Sequence, residues 1–178
     1  MRPDWTRSDC FLPDWRSGLS WLKNGPYSLN PDSQLYLRPA FGQNGIGMIV
    51  GMGVDMAEVE RVRAAMERHG ERFLRRVFTP AEIAYCRRFK NSHERFAARF
   101  AAKEAAMKAL GTGWRRGVSW QDFELTNLPS GKPCLRLSGR ALEICHSLGG
   151  SRVLVSLTHT GAHALAQVII EGDSAARE

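Results

Sequence analysis

Residues 99–113 read Arg99-Phe-Ala-Ala-Lys103-Glu104-Ala-Ala-Met-Lys108-Ala-Leu-Gly111-Thr-Gly113, and the rest of the chain is best understood outward from them. Alanine, lysine, glutamate, methionine and leucine dominate, no β-branched residue interrupts before Gly111, and Gly111 stands where a helix would stop. Residues four apart share a helix face, so Glu104 and Lys108 are neighbours while Arg99 and Lys103 pair around the side. The Gly-Thr-Gly turn that follows lets backbone amides approach a ligand closely. A single carboxylate among cations suits a metal ion bound together with a polyanion. It equally suits a solvated salt-bridge face, and the helix alone does not choose.

A second segment, Met-Ile-Val-Gly-Met-Gly-Val-Asp-Met at 48–56, is apolar with small residues and predicts a short buried strand over 48–54 with Asp55 at its end. A helical pattern follows through Val59, Val62, Ala65 and Met66. Alone, Asp55 reads as a residue complementing a helix N-terminus. Together, Asp55 and Glu104 make the sparse oxygen set that Mg²⁺ accepts, keeping several waters and taking phosphate oxygens.

Elsewhere the two periods alternate. Thr79-Pro80-Ala81-Glu82 has the capping threonine, the first-turn proline and the glutamate three after the cap that start a helix. That helix should run to about Arg88, and the central one from near Glu94. Strands over 123–126 and 133–137 flank a Leu-Pro-Ser-Gly-Lys loop, a helix occupies 138–148, and strands over 153–158 and 164–170 close the domain. This mixture predicts an α+β fold, an antiparallel sheet with packed helices. Residues 1–47 hold five of the eight prolines and no sustained period, so they read as an irregular or disordered extension. The domain spans 48–172, and 173–178 is a short tail.

The net charge of +7 resides in that domain, where 19 basic residues face 12 acidic ones. Such an excess seeks a polyanion, whether nucleic acid, nucleotide, anionic membrane or acidic protein. No aromatic ribonucleoprotein pair, zinc spacing or recognition-helix signature supports a nucleic-acid module. No G-x-x-x-x-G-K-[ST] supports a P-loop enzyme. No apolar run approaches the ~20 residues of a membrane span, and the first residues do not form a signal peptide, so the cytoplasm is the expected compartment. The cysteines show neither CxxC spacing nor a paired histidine motif.

Three motifs resemble one family. Gly53-Val-Asp55, with Arg61 on the following helix, is similar to the first motif of the holo-acyl-carrier-protein synthases, the short trimeric type of 4′-phosphopantetheinyl transferase. Phe100-Ala-Ala-Lys103-Glu104-Ala-Ala-Met-Lys108-Ala, ending in Gly111-Thr-Gly113, resembles the second, and Ser156-Leu-Thr-His159-Thr the third. Order and separations agree across 48–172; Phe100 stands where much of the wider superfamily has tryptophan, which leaves the catalytic positions untouched. The resemblance implies transfer of the phosphopantetheine arm of coenzyme A to a serine of apo acyl carrier protein, with release of adenosine 3′,5′-bisphosphate, in support of fatty acid biosynthesis. It implies Mg²⁺ on Asp55 and Glu104, with Asp55, Glu104 and Lys108 catalytic. Lys108, Arg99, His159 and Gly111 would hold the coenzyme, Arg99 or His159 at its 3′-phosphate. Arg61, with Arg68, Arg72 and Arg75, would receive the acidic carrier protein. Active sites would lie between the subunits of a homotrimer, with no nucleic-acid or membrane partner. Lys103 reads as support for its helix or its neighbours.

Overall fold

A computed structural model describes residues 48–172. The expectations for 1–47 and 173–178 fall outside the described residues. The elements run β1 (Met48–Glu58), α1 (Val59–Val77), α2 (Pro80–Cys86), α3 (Ser92–Ala109), a 3₁₀ turn (Trp120–Asp122), β2 (Phe123–Asn127), β3 (Pro133–Leu137), α4 (Gly139–Ser147), β4 (Gly150–His159) and β5 (His163–Gly172). All strand pairs are antiparallel: one sheet has the order β1-β5-β4, and β2 pairs with β3 in a separate hairpin. The α+β expectation holds.

Period-two alternation explains how the larger sheet sits. Ala164, Ala166, Val168 and Ile170 of β5 point inward and are buried, whereas Leu165 and Gln167 point out. Helix α3 lies across the inner face, its alanines 101, 102, 105, 106 and 109 all buried. Small side chains let helix and sheet approach closely. A Cβ on Gly53 would stand 2.0 Å from the Ala105 carbonyl oxygen, and one on Gly51 2.3 Å from that of Ala109. At the other end of α3, Phe96 packs against Phe78 with ring centroids 4.9 Å apart, and both are 1% exposed. Burial of each such ring contributes roughly 1.5–3 kcal/mol.

Two elements extend beyond their sequence expectation. The helix whose pattern runs through Val59, Val62, Ala65 and Met66 passes on through Gly70, whose φ of 54° and ψ of −138° make a kink, and resumes to Val77. Glycine takes this conformation without a steric penalty, and Leu74 and Val77 reward the continuation by burying against the core. Strand β1 runs four residues past Val54, because its register with β5 continues through Asp55↔Ala166 to Glu58↔His163. Asp55 is therefore a mid-strand residue, not the end of a strand or a helix cap. Helix α2 begins as its sequence predicts, with a reciprocal box: the Thr79 side chain accepts from the Glu82 amide at 3.3 Å, and the Thr79 amide donates to Glu82 Oε2 at 2.8 Å.

The outer face of the larger sheet carries exposed apolar side chains, chiefly on β1. Met52, Val54 and Met56 of β1 and Leu165 of β5 are 61, 44, 61 and 36% exposed and share that face. Among the described residues, no helix is long and apolar enough to cross a membrane.

Candidate active site

Where β1 rides over α3, the two side-chain-free positions bring the backbone of the strand down onto the helix. Asp55 is the next inward position after Gly51 and Gly53, so it is delivered to the last turn of α3. Its Oδ1 accepts a hydrogen bond from Lys108 Nζ at 2.8 Å, and the same ammonium donates to the Val54 carbonyl oxygen at 3.0 Å. Lys108 thus reaches across to the strand instead of turning back to Glu104, its neighbour on the helix face.

Glu104 sits one turn earlier, half-buried. Burial pushes its pKa above the usual carboxylate range, the negative charge of Asp55 adds to the rise, and Lys108 opposes it. Two carboxylates and one ammonium leave the cluster with a net negative charge that a cation would relieve. Among the described residues, Glu104 has no hydrogen-bond or ion-pair partner, and no group of three or more His, Cys, Asp or Glu could hold a metal. The donor set is therefore the carboxylates of Asp55 and Glu104, two hard oxygen ligands. That composition fits Mg²⁺ and not zinc.

The glycine turn differs from expectation. The amides of Gly111, Thr112 and Gly113 all turn back onto the carbonyls of Lys108 and Met107, closing the helix. Gly111 has a φ of 65°, and a Cβ there would meet nothing within 4 Å. The turn offers a ligand open space, and its amides are already engaged.

The remaining candidates lie elsewhere. Arg99, about 140° around the helix from Glu104, is 3% exposed. Its guanidinium stacks over the Tyr85 ring at 4.3 Å and donates to Asn127 Oδ1 at 3.2 Å. Its Nε is buried with no acceptor among the described residues, as is that of Arg95. His159, at the end of β4, faces Glu94 with Nδ1 3.3 Å from Oε2. The structure thus joins Asp55, Glu104 and Lys108, and places Arg99 and His159 toward the other end of α3. Arg61, Arg68 and Arg72 on α1 are exposed and have no ion-pair partner among the described residues, whereas Arg75 lies near Glu71 at 3.8 Å.

Lys103, expected to support its helix or its neighbours, does so from a fully buried position. It is 0% exposed and forms a 2.7 Å ion pair with Glu82 Oε2. The capping box signalled Glu82, but no local spacing links position 82 to position 103.

A family described as the 4′-phosphopantetheinyl transferase superfamily matches residues 51–168. A holo-[acyl-carrier-protein] synthase of Solibacter usitatus is 56% identical over 124 residues, which cover 70% of this chain and 99% of that protein. This chain belongs to the holo-[acyl-carrier-protein] synthase family. A synthase of the same name from Koribacter versatilis is 52% identical over 70% of this chain and 99% of its own. Among solved structures, the synthase of Bacillus anthracis in complex with CoA (3′,5′-ADP) matches with a TM-score of 0.59 at 35% identity, covering 70% of this chain and 98% of that one. The synthase of Helicobacter pylori in complex with coenzyme A also matches with a TM-score of 0.59, at 28% identity, over 67 and 98% of the two chains.

Proposed function

We propose that this protein transfers the 4′-phosphopantetheine group of coenzyme A to a serine of apo acyl carrier protein in a Mg²⁺-dependent reaction that supplies fatty acid biosynthesis. The Asp55–Glu104–Lys108 cluster carries this reading. The serine hydroxyl attacks the β-phosphorus of the coenzyme, a new P–O bond forms, and the bond to the bridging oxygen breaks, releasing adenosine 3′,5′-bisphosphate. Asp55 and Glu104 would hold Mg²⁺, which when bound offsets charge on the diphosphate. Lys108 brings its ammonium to the developing charge of the leaving oxygen. Glu104, with its raised pKa, orients the group that takes the serine proton. Gly111 leaves the phosphates an approach free of side chains. Arg99 and His159 serve the nucleotide half, Arg99 or His159 at the 3′-phosphate; the acceptor-free Nε of Arg99 supports its part.

The arginines of α1 that have no ion-pair partner among the described residues, Arg61 foremost, suit an acidic carrier, whose encounter they would steer. The exposed apolar side chains of Met52, Val54, Met56 and Leu165 on one face support a homotrimer, since apolar groups gathered on a sheet face mark an interaction surface. We place the enzyme in the cytoplasm, where its proposed substrates are made. Mass spectrometry of apo acyl carrier protein incubated with the protein, coenzyme A and Mg²⁺ tests the reaction. A gain of one phosphopantetheine is expected, and an unchanged carrier mass would overturn the assignment.

A further inference from the structure

The contact between α3 and the larger sheet is smooth. On the sheet side lie Gly51, Gly53, Ala164 and Ala166, and on the helix side Ala101, Ala105 and Ala109. Packing of this kind brings backbones close but offers few large side chains to resist rotation of the helix about its axis. Rotation matters here. A carboxylate on a helix lies ~6 Å from the axis, so a turn of about 10° moves it by about 1 Å. Displacement of a reacting group by that distance is enough to lower a rate by about 100-fold.

Lys108 bonds β1, Arg99 bonds Asn127 and His159 faces Glu94, but the fully enclosed directional contacts to α3 come from Lys103, the residue before Glu104. Its buried Nζ donates to the Val77 carbonyl oxygen at 2.9 Å, to the Trp120 carbonyl oxygen at 3.0 Å and to Glu82 Oε2 at 2.7 Å. All three ammonium protons are thereby engaged. Glu82 is fixed in turn, accepting from the Thr79 amide at 2.8 Å on Oε2 and from the Leu125 amide at 3.0 Å on Oε1. One buried pair therefore ties α3 to the end of α1, the start of α2, the 3₁₀ turn and β2. Neither residue reaches the Asp55 cluster.

We propose that Lys103 and Glu82 are positioning residues for the transfer reaction: their buried ion pair sets the rotation of α3 and so aims Glu104 at Asp55. The role rests on the reading of Asp55 and Glu104 given under Proposed function. A buried pair that fixes register, and does not merely add stability, is the use of such pairs best supported in other proteins.

Two variants test this, assayed with full-length chain, coenzyme A, carrier protein and a Mg²⁺ titration. Glu82→Asp keeps both charges but draws the carboxylate back by one methylene, so Lys103 must follow it or release a carbonyl. Lys103→Gln keeps donors for the two carbonyls on a side chain one bond shorter. Each is expected to retain the parental circular dichroism spectrum, to lose at least about tenfold in kcat, and to need at least about fivefold more Mg²⁺ for half-saturation. The apparent KM for carrier protein should stay near the parental value, because the docking arginines lie on α1. Folded variants with lower thermal midpoints but parental kcat and Mg²⁺ requirement would overturn the proposal, leaving the pair a stability element only. Should Lys103→Gln not fold, Glu82→Asp decides alone. Glu104→Gln in the same assay separates the two readings. A parental Glu82→Asp beside an inactive Glu104→Gln removes only the positioning role, whereas a parental Glu104→Gln removes the carboxylate-pair reading itself.

Discussion

Lys103 and Glu104 are adjacent in sequence, carry opposite charges and have opposite fates. Lys103 is fully enclosed, and each of its protons has an acceptor. Glu104 is half-buried, close to another carboxylate, and without a hydrogen-bond or ion-pair partner among the described residues. The 100° turn between consecutive helical residues is enough to put one on the structural side of α3 and the other on the chemical side. The enclosed charge is satisfied within the chain, and the half-buried one, to which we assign the chemistry, is left for something else to satisfy.

The sharpest way to break this comparison is to exchange the consequences of mutation. Lys103→Met strands the Glu82 carboxylate in the core and should destabilise the fold by about 3–5 kcal/mol, measured by urea denaturation. A loss below about 1 kcal/mol would show that the pair is not a structural charge. Glu104→Gln should do the reverse. Size and helix propensity are nearly kept, so the fold survives, while activity falls by at least ~100-fold. Asp55→Asn should behave alike, with partial rescue of either by raised Mg²⁺. The double variant should be little worse than the worse single one, because both residues act through one site. A steady-state assay showing additive losses would mean that the two carboxylates do separate work.

A charge on a third side of the molecule sharpens the contrast. Arg61→Glu should raise the apparent KM for carrier protein about tenfold and leave coenzyme A binding almost unchanged, with the effect shrinking as salt rises. Equal weakening toward both substrates would move Arg61 into the nucleotide site.

The smallest effect is also the most diagnostic. Because the Glu104 pKa is raised in the folded chain, the native state binds that proton more tightly than the unfolded one. Its contribution is thus fully present below the ordinary carboxylate pKa and is lost as pH rises through the raised value. At neutral pH the ionised Glu104 is a small net burden on the fold. Glu104→Gln should therefore melt slightly higher than the parent at pH 7, and the difference should vanish in acid. For the parent, activity should fall as pH drops through the raised pKa, and more Mg²⁺ should move that fall to lower pH by competing with the proton. Calorimetry showing Glu104→Gln melting lower at pH 7 would contradict the sign.

Local patterns carried the sequence reading where the chain acts locally. The α2 capping box, the boundaries of the β2–β3 hairpin and the long alanine-rich helix were all legible, because each is set by residues within a few positions. Asp55 was expected at a strand end but lies mid-strand, since the pairing that extends β1 comes from β5, more than 100 residues later. Helix spacing makes Glu104 and Lys108 neighbours, and Lys108 does act on the Glu104 charge, but its hydrogen bond goes to Asp55, which the close approach of β1 presents. Likewise the sequence shows Lys103 as a helix residue and Glu82 as a cap, but only the fold brings them together. Gly111 was read as a source of amides, yet helix closure uses them first.

Gly53 supplies no side chain to the proposed chemistry, yet its consequence reaches the chemistry directly: a Cβ there would lie 3.0 Å from the Cβ of Lys108. An added methyl there would stand 2.0 Å from the Ala105 carbonyl oxygen and 2.7 Å from the Ala109 nitrogen, both rigid helix backbone. Ordinary contact begins at about 3.4 Å, so the strand would have to lift by more than 1 Å and carry Asp55 away from Lys108. In a scan of single substitutions, the mildest change at position 53 should therefore score among the severe ones, indistinguishable by activity from loss of a carboxylate. The tolerance of this enzyme to mutation is governed as much by where it has no side chain as by where it has one.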